Sequence, residues 1–360
     1  MAGQMIYPGQ SWADTWQHGV SSFFSTEYET NPAMSATNPG SVWRAVFSPS
    51  YALVSKIGES SINAGLAFQF ARASNKTLSP DRDSPSANLN WLRPSDAGDF
   101  GLFTRFSQMA TRDTGGVDAT GNVPVNSTST LRNLSGSWSK GLSERSTLSA
   151  DAAYGSVSYK GGGTYTDYST RSGGLKYGYT WNEKITTFLR VAGNRNMPAN
   201  GGSTASRIDT TLGMNWKTEY LDWTVQGGKS RVIGGSSDTQ GSVTAHYTGQ
   251  QTQLTFDAGR TVSSSGQGGY AKADHVKGGW SYILSEYSNM GIDLERRKNY
   301  PNLLIGASTS TSAGIWLDHS LTPLWKLRTY SSRRSNQGSG FASASSNVLG
   351  LSVIYNTIDF

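Results

Sequence analysis

The sequence predicts an all-β chain: a transmembrane, antiparallel, up-and-down β-barrel of about 18 strands, with 16 or 20 as alternatives. Three observations carry the prediction. Short stretches in which apolar and polar residues alternate with period two recur along the chain. The connections between them alternate between tight turns and longer loops rich in Gly, Asn and Pro. The final stretch, Val348 to Phe360, is β-branched and aromatic, contains no proline and ends on phenylalanine.

Composition agrees. The chain has 360 residues, a fitting length for one medium-sized barrel, and only 36% of them are hydrophobic. It has 42 Gly, and charged residues make up 16%. That is not the makeup of an α-helical enzyme, and 17 Tyr, 12 Phe and 11 Trp exclude a disordered chain. No run of about 18 apolar residues exists, so no transmembrane helix is expected. Barrel strands cross a membrane without one, because lipid-facing apolar residues alternate with lumen-facing polar ones. The absence of cysteine excludes disulfides and thiolate metal sites. The net charge of +6 is spread along the chain, so no nucleic-acid partner is expected. The first residues, Met1 to Pro8, lack a basic and then apolar leader. A secreted barrel needs such a signal, so the expectation is a mature form from which it has been removed.

Residues 1–18 read as an irregular lead-in and 19–360 as a single barrel domain. Alternation begins with Val20, Phe24 and Tyr28, followed by a loop holding Asn31-Pro32 and Asn38-Pro39-Gly40. A second strand runs from about Val42 to Val54 and turns at 56–60. The third is the clearest: Ile62, Ala64, Leu66, Phe68 and Phe70 share one face, with Asn63, Gly65, Ala67 and Gln69 on the other. After a polar loop at 75–83, strands near 85–93 and 99–110 flank a turn at 94–98, and a long loop covers 111–127. Tight turns follow at 140–144, 181–184, 217–220, 248–251, 284–287 and 320–323. Longer loops lie around 160–167, 197–205, 233–239, 263–269, 299–304 and 334–345. That makes 8 short turns and 9 longer loops, hence 18 strands with both termini on the short-turn side. Prolines should fall in connections, because proline cannot donate to a ladder. Nine of the 11 do so or lie in the lead-in; Pro49 and Pro85 are the exceptions. Trp181, Trp216, Tyr220, Trp223, Trp280, Tyr282 and Trp325 cluster near short turns, as an aromatic girdle at one membrane interface would.

Charges should avoid lipid, so the polar phase of each strand should line the lumen. The pore-lining candidates are Arg105, Lys176, Arg190, Asp257, Lys277, Asp293, Glu295, Arg297, Lys326 and Arg328, with Asp151 and Asp209 on the same phase. They fit either paired charges bracing a solvated wall or a selectivity ring for anionic or polyhydroxylated solutes. Phe103 and Phe188 also fall on the lumen phase and are candidate platforms for sugar rings. A barrel this wide should hold water, and the long loop at 111–128 is available to constrict it.

No catalytic set emerges. His18, His246, His275 and His319 have no metal-ligand spacing. His275 sits with Asp274 and Lys277, and His319 follows Asp318; these two are the tests of an enzymatic barrel. No cofactor, no metal and no enzymatic activity are expected.

Glu27-Tyr-Glu-Thr-Asn-Pro32, followed by Phe47-Ser-Pro-Ser-Tyr-Ala-Leu53, resembles the start of outer-membrane β-barrel porins of Gram-negative bacteria, including those encoded with exopolysaccharide machinery. The resemblance covers residues 27–53 and supplies no functional residues. It implies a pore in the bacterial outer membrane, with a link to polysaccharide export; the lumen charges add an expected preference for polar or anionic solutes. The alternatives are a structural or adhesive barrel whose loops bind surface polymer, and a barrel enzyme acting on lipid or glycan. Expected partners are outer-membrane lipid and lipopolysaccharide, the barrel-assembly machinery and polysaccharide. In the last strand Leu349, Leu351, Val353 and Tyr355 form one apolar face, but Ile354, Ile358 and Phe360 lie on the other. A bulge near Asn356-Thr357 would return the last two to the lipid side.

Overall fold

The computed structural model describes residues 15–111, 127–161, 165–199, 201–264, 270–301, 306–338 and 341–357. Its strands are β1 (Thr15–Thr30), β2 (Ser41–Ile57), β3 (Ser60–Ala73), β4 (Arg82–Arg93), β5 (Asp99–Ala110), β6 (Thr128–Gly141), β7 (Ser146–Lys160), β8 (Tyr168–Asn182) and β9 (Ile185–Pro198). The second half holds β10 (Ala205–Lys217), β11 (Leu221–Val232), β12 (Ser237–Thr248), β13 (Thr252–Ser264), β14 (Tyr270–Ser285), β15 (Ser288–Asn299), β16 (Ser308–Ser320), β17 (Trp325–Gly338) and β18 (Phe341–Asn356). Each strand pairs antiparallel with its sequence neighbours, and β1 pairs with both β2 and β18. The sheet is therefore a closed barrel of 18 strands, which leaves no open edge.

Closure turns the period-two pattern into an outside and an inside. Leu66 and Phe68 on β3, Leu175 on β8, Leu212 on β10, Ile315 on β16 and Leu349 on β18 all point outward and are exposed. In a soluble protein such a surface would be a large apolar patch. On a closed barrel it is the lipid-facing belt. The anticipated girdle residues all fall in or beside this outward register at the short-turn end. Trp216 meets Trp223 edge to face at 5.5 Å, Trp280 stacks on Tyr282 at 6.1 Å, and Trp325 meets Tyr355 at 4.8 Å.

Strands of 12 to 17 residues are longer than the roughly 9–11 needed to cross a bilayer. The surplus explains the chief departure from the sequence reading. Residues 334–345 were expected to be loop, yet β17 runs to Gly338 and β18 starts at Phe341, leaving a two-residue connection. Ser331, Arg333 and Ser335 face outward there, so the hairpin is polar on both sides and carries no alternation to read. Residues 15–18, read as part of the lead-in, belong to β1, which begins at Thr15; His18 pairs with Leu53, and residues 1–14 lie outside the described residues. Pro198 is the last residue of β9 rather than part of the following loop.

The two prolines inside strands sit where ladders lapse. The β2–β3 register passes from Phe47↔Phe70 to Ser50↔Ala67 without pairs at Ser48 and Pro49. Pro85 lies opposite Phe68 on one side, while the β4–β5 ladder starts only at Ser86↔Ser107. Neither ring interrupts a bond the wall needs. At the C-terminus the outward phase belongs to Leu349, Leu351, Val353 and Tyr355, and pairing with β1 is regular from Val348 to Asn356. Ile358 and Phe360 lie outside the described residues.

Candidate functional site

The closed wall encloses a polar space, the lumen, and the register fixes which side chains enter it. All ten candidates fall on the inward face. Lys176 lies opposite Arg190, Asp257 opposite Lys277, and Lys277 opposite Glu295. Arg105 lies between Asn88 and Asn133, Asp293 opposite Gly279 and Gly314, and Arg297 opposite His275 and Ser310. Lys326 and Arg328 follow on β17, opposite Ser320 and Asp318.

Many of these charges are held in local clusters. Arg190 donates to both carboxylate oxygens of Asp151 at 2.9 and 3.0 Å, reaching from β9 to β7. It passes over Gly174, where an added Cβ would stand 3.1 Å from each partner. Lys176 sits 4.3 Å above the Phe188 ring, an ammonium on an aromatic face. Phe188 in turn lies on Gly213, where a Cβ would come within 2.3 Å of the ring, and it is only 7% exposed. It is a packed wall residue and offers no open platform for a sugar, a correction to the sequence expectation. Phe103 keeps partial exposure on the same face.

Further round, Asp318 is almost fully buried and accepts from Arg328 at 2.5 and 2.8 Å. Arg328 also lies 4.9 Å over the Trp316 ring, whose indole N–H donates to Asp293 at 3.0 Å. Sequence reasoning noted Asp318 only as the neighbour of His319, yet it anchors this inward cluster. His319 points the other way and shares a 2.9 Å hydrogen bond with Ser288. Among the described residues no carboxylate orients that pair, so no third member of a triad stands beside it. His275 lies 3.1 Å from Asp257 within the lumen. Among the described residues no group of three His, Asp or Glu could hold a metal ion.

Sequence reasoning also missed two constellations built by long-range geometry. The first is the closing seam. Tyr330 on β17 lies across Gly350 of β18, where a Cβ would meet the ring at 2.2 Å. Its hydroxyl donates to Glu27 on β1, and Glu27 accepts from Arg44 on β2. Glu29, nearly buried, lies 4.0 Å from Arg44 and 3.8 Å from Arg334. A strut of side chains thus crosses four strands on the inside of the closure.

The second is a constriction. β11 and β12 stay paired up to Arg231↔Ser237, but β12 and β13 part company beyond Gly241↔Arg260. β13 and β14 remain paired to Ser264↔Tyr270. The freed end of this hairpin leans over the inner face of its neighbours. Arg207 on β10 donates to the carbonyl of Val262 and lies 4.8 Å from the Tyr270 ring. The Tyr270 hydroxyl donates to the carbonyl of Asn194 at 3.1 Å, and Lys272 reaches Asp238 at 2.7 Å. Beneath it a cavity of about 300 Å³ is lined by Arg190, Asn194, Arg207, Asp209, Gln226 and Arg260, among others. Arg207 and Asp209 form a buried ion pair at 2.8 Å. Sequence inspection assigned the constriction to residues 111–128; most of that loop lies outside the described residues, and the inward element seen is a strand hairpin. The run of glycines at 227–228, 241 and 259 is the signal that could have marked the fold line.

No protein-family model matches the chain, and no curated protein does. Solved structures do. The outer membrane protein OpdK of Pseudomonas aeruginosa superposes with a TM-score of 0.53 at 9% identity, covering 96% of this chain and 99% of its own. OccK9 (OpdG) of the same organism gives 0.52 at 10% identity, covering 95% and 98%. OccAB3 of Acinetobacter baumannii gives 0.51 at 11% identity, covering 96% and 99%. At these identities the likeness is one of fold over almost the whole of each chain. The fold is that of Gram-negative outer-membrane porins, a closed 18-strand barrel.

Proposed function

We propose that the chain is a passive outer-membrane pore for small polar solutes, with a bias toward anions. The observation that carries the reading is a closed wall with a lipid-facing apolar exterior and a charged, hydroxylated interior. The bias rests on those lumen charges that stand outside ion pairs among the described residues. Arg105, Lys176, Lys277 and Arg297 do so, against Asp293, Glu295 and Asp257, whose partner His275 is charged only when protonated. Pairing elsewhere, as at Arg190–Asp151, is solvated and braces the wall more than it selects.

Planar-bilayer recording of the refolded protein under a KCl gradient tests the proposal. Ohmic steps with a reversal potential favouring chloride are expected, and Arg105→Ser with Arg297→Ser should move that potential toward zero. A folded protein that stays silent, even after the hairpin of β13 and β14 is released, would end the pore reading. A role in exopolysaccharide export is the narrower form of the proposal and rests on the resemblance over residues 27–53. Block of the current by an acidic oligosaccharide would support it, and indifference to such an oligosaccharide would remove it.

A further inference from the structure

The outward face carries a second set of charges that the pore does not use. Near the long-loop ends of their strands, Arg132, Lys160, Arg171, Arg195, Lys229 and Arg231 all fall on the lipid-facing register and are exposed. Arg296, Lys298 and Arg333 continue the belt on β15 and β17. Asp83, an outward acid at this level, is already engaged by Arg72.

One segment of the belt is a shaped site. Down the outside of β8 and β9 the register reads Arg171↔Arg195, Gly173↔Gly193, Leu175↔Val191 and Tyr177↔Leu189. Two arginines therefore stand directly opposite each other on the ladder, a like-charge pairing that an anion between them would relieve. Neither has a carboxylate partner among the described residues. Below them the paired glycines leave the wall bare; a Cβ at Gly193 would meet nothing within 4 Å. Ser206 and the exposed Ile208 and Ile233 bound this groove, whose volume is about 330 Å³. Beneath it Leu175 and Val191 begin the apolar belt.

From top to bottom the site offers a bidentate anion clamp, a flat floor and an apolar track. We infer that it binds a phosphorylated, multiply acylated glycolipid of the outer leaflet, with a sugar phosphate between Arg171 and Arg195 and an acyl chain along Leu175 and Val191. Guanidinium pairs match phosphate oxygens bidentately, and basic pockets at the headgroup level bind anionic lipid heads. The order of the ladder favours this occupant over a free anion, which would use only its first rung. The inference rests on outer-membrane residence and not on conduction, so it stands or falls separately from the pore.

Native mass spectrometry of the full-length protein in detergent, titrated with hexa-acylated bis-phosphorylated lipid A, provides the test. Retention of lipid A is expected, with affinity falling by at least about tenfold for the same lipid stripped of its phosphates. Arg171→Ser with Arg195→Ser should cause a similar loss, while Arg296→Ser with Lys298→Ser, elsewhere on the belt, should change affinity by less than about twofold. Gly193→Leu, which fills the floor and leaves the charges in place, should also weaken binding. Equal binding of the phosphate-free lipid would overturn the inference without any variant having to fold. So would competition by millimolar inorganic phosphate that matches lipid A, which would make the clamp a simple anion site.

Discussion

The barrel is finished in two ways, at the closing seam and at the edge where β12 lets go of β13. Both regions rely on small inward residues. At the seam Ser25 faces Ser352 beside Gly350, and Tyr330 covers the glycine. The pairing of β1 with β18 is unbroken from Ser21 to Glu29, and the strut from Tyr330 through Glu27 to Arg44 braces it. At the other edge no aromatic fills the space above the glycines. Backbone moves into it: a Cβ at Gly228 would lie 1.9 Å from the carbonyl oxygen of Thr210, and one at Gly259 would lie 2.6 Å from that of Gly241. The same absence of side chains seals a wall when an aromatic lies on it and bends the wall when backbone does.

If that contrast is right, the largest effect comes from denying the bend its space. Gly228→Val should destabilise the barrel by about 4 kcal/mol or more, since a backbone carbonyl cannot yield as a flexible side chain can. Gly227→Val is the control, because a Cβ there meets nothing within 4 Å. Heat-modifiable gel mobility and the urea midpoint should separate the two; equal behaviour would dissolve the idea of a fold line at these glycines.

Next comes release of the hairpin. Arg207→Ala removes the donor to Val262, the cation over Tyr270 and the partner of Asp209, leaving a nearly buried carboxylate unpaired. A cost of about 3 kcal/mol follows from breaking such a pair. The protein can recover part of it by letting the hairpin swing outward, so single-channel conductance should rise. Tyr270→Phe, which gives up only the bonds to Asn194 and Ala205, should move conductance in the same direction by less. A conductance unchanged in both variants would mean the hairpin does not narrow the path.

The seam should answer differently. Tyr330→Phe keeps the ring over Gly350 and deletes the hydroxyl donated to Glu27. Loss of a hydrogen bond to a charged acceptor costs about 2 kcal/mol. The urea midpoint should fall while conductance stays constant, because the strut lies along the wall. A conductance change as large as that of Arg207→Ala would show that both regions shape the lumen.

These two regions also show what could be read from the chain beforehand. Strand number, strand faces and the girdle were legible because each follows from period-two alternation and turn spacing, local properties of the sequence. The inward phase of Arg190 or Arg328 was legible for the same reason. What those residues touch was not. Arg328 finds Asp318 ten positions back, Tyr330 finds Glu27 from the far end of the chain, and Arg207 finds Val262 three strands away. Such partners depend on closure and on the bend, which no window of sequence contains. Phe188 was misread as an open platform because phase gives direction but not cover. The extended β17–β18 hairpin was misread because strand above the membrane is wet on both faces and loses its pattern.

The smallest effect expected lies outside the wall, in the loop at residues 74–81, and asks whether a rim connection is tied down as the seam is. Lys76 at 2.9 Å holds the Asp81 carboxyl below its ordinary range, helped by the backbone N–H of Ala73 at 3.2 Å. A carboxyl whose value is depressed in the folded state stabilises its loop at pH values above the unfolded value near 4, and that contribution disappears as pH falls through the lower, folded value. Amide exchange of the peptide covering 73–81, compared at each pH with Asp81→Asn to cancel intrinsic rates, should show protection above about pH 5 that fades in acid. Because the carboxyl is only half-buried in a rim loop, the step should be small and local, with the global urea midpoint unmoved. Protection that is the same in both proteins at every pH would mean that the bonds to Lys76 and Ala73 do not order this rim.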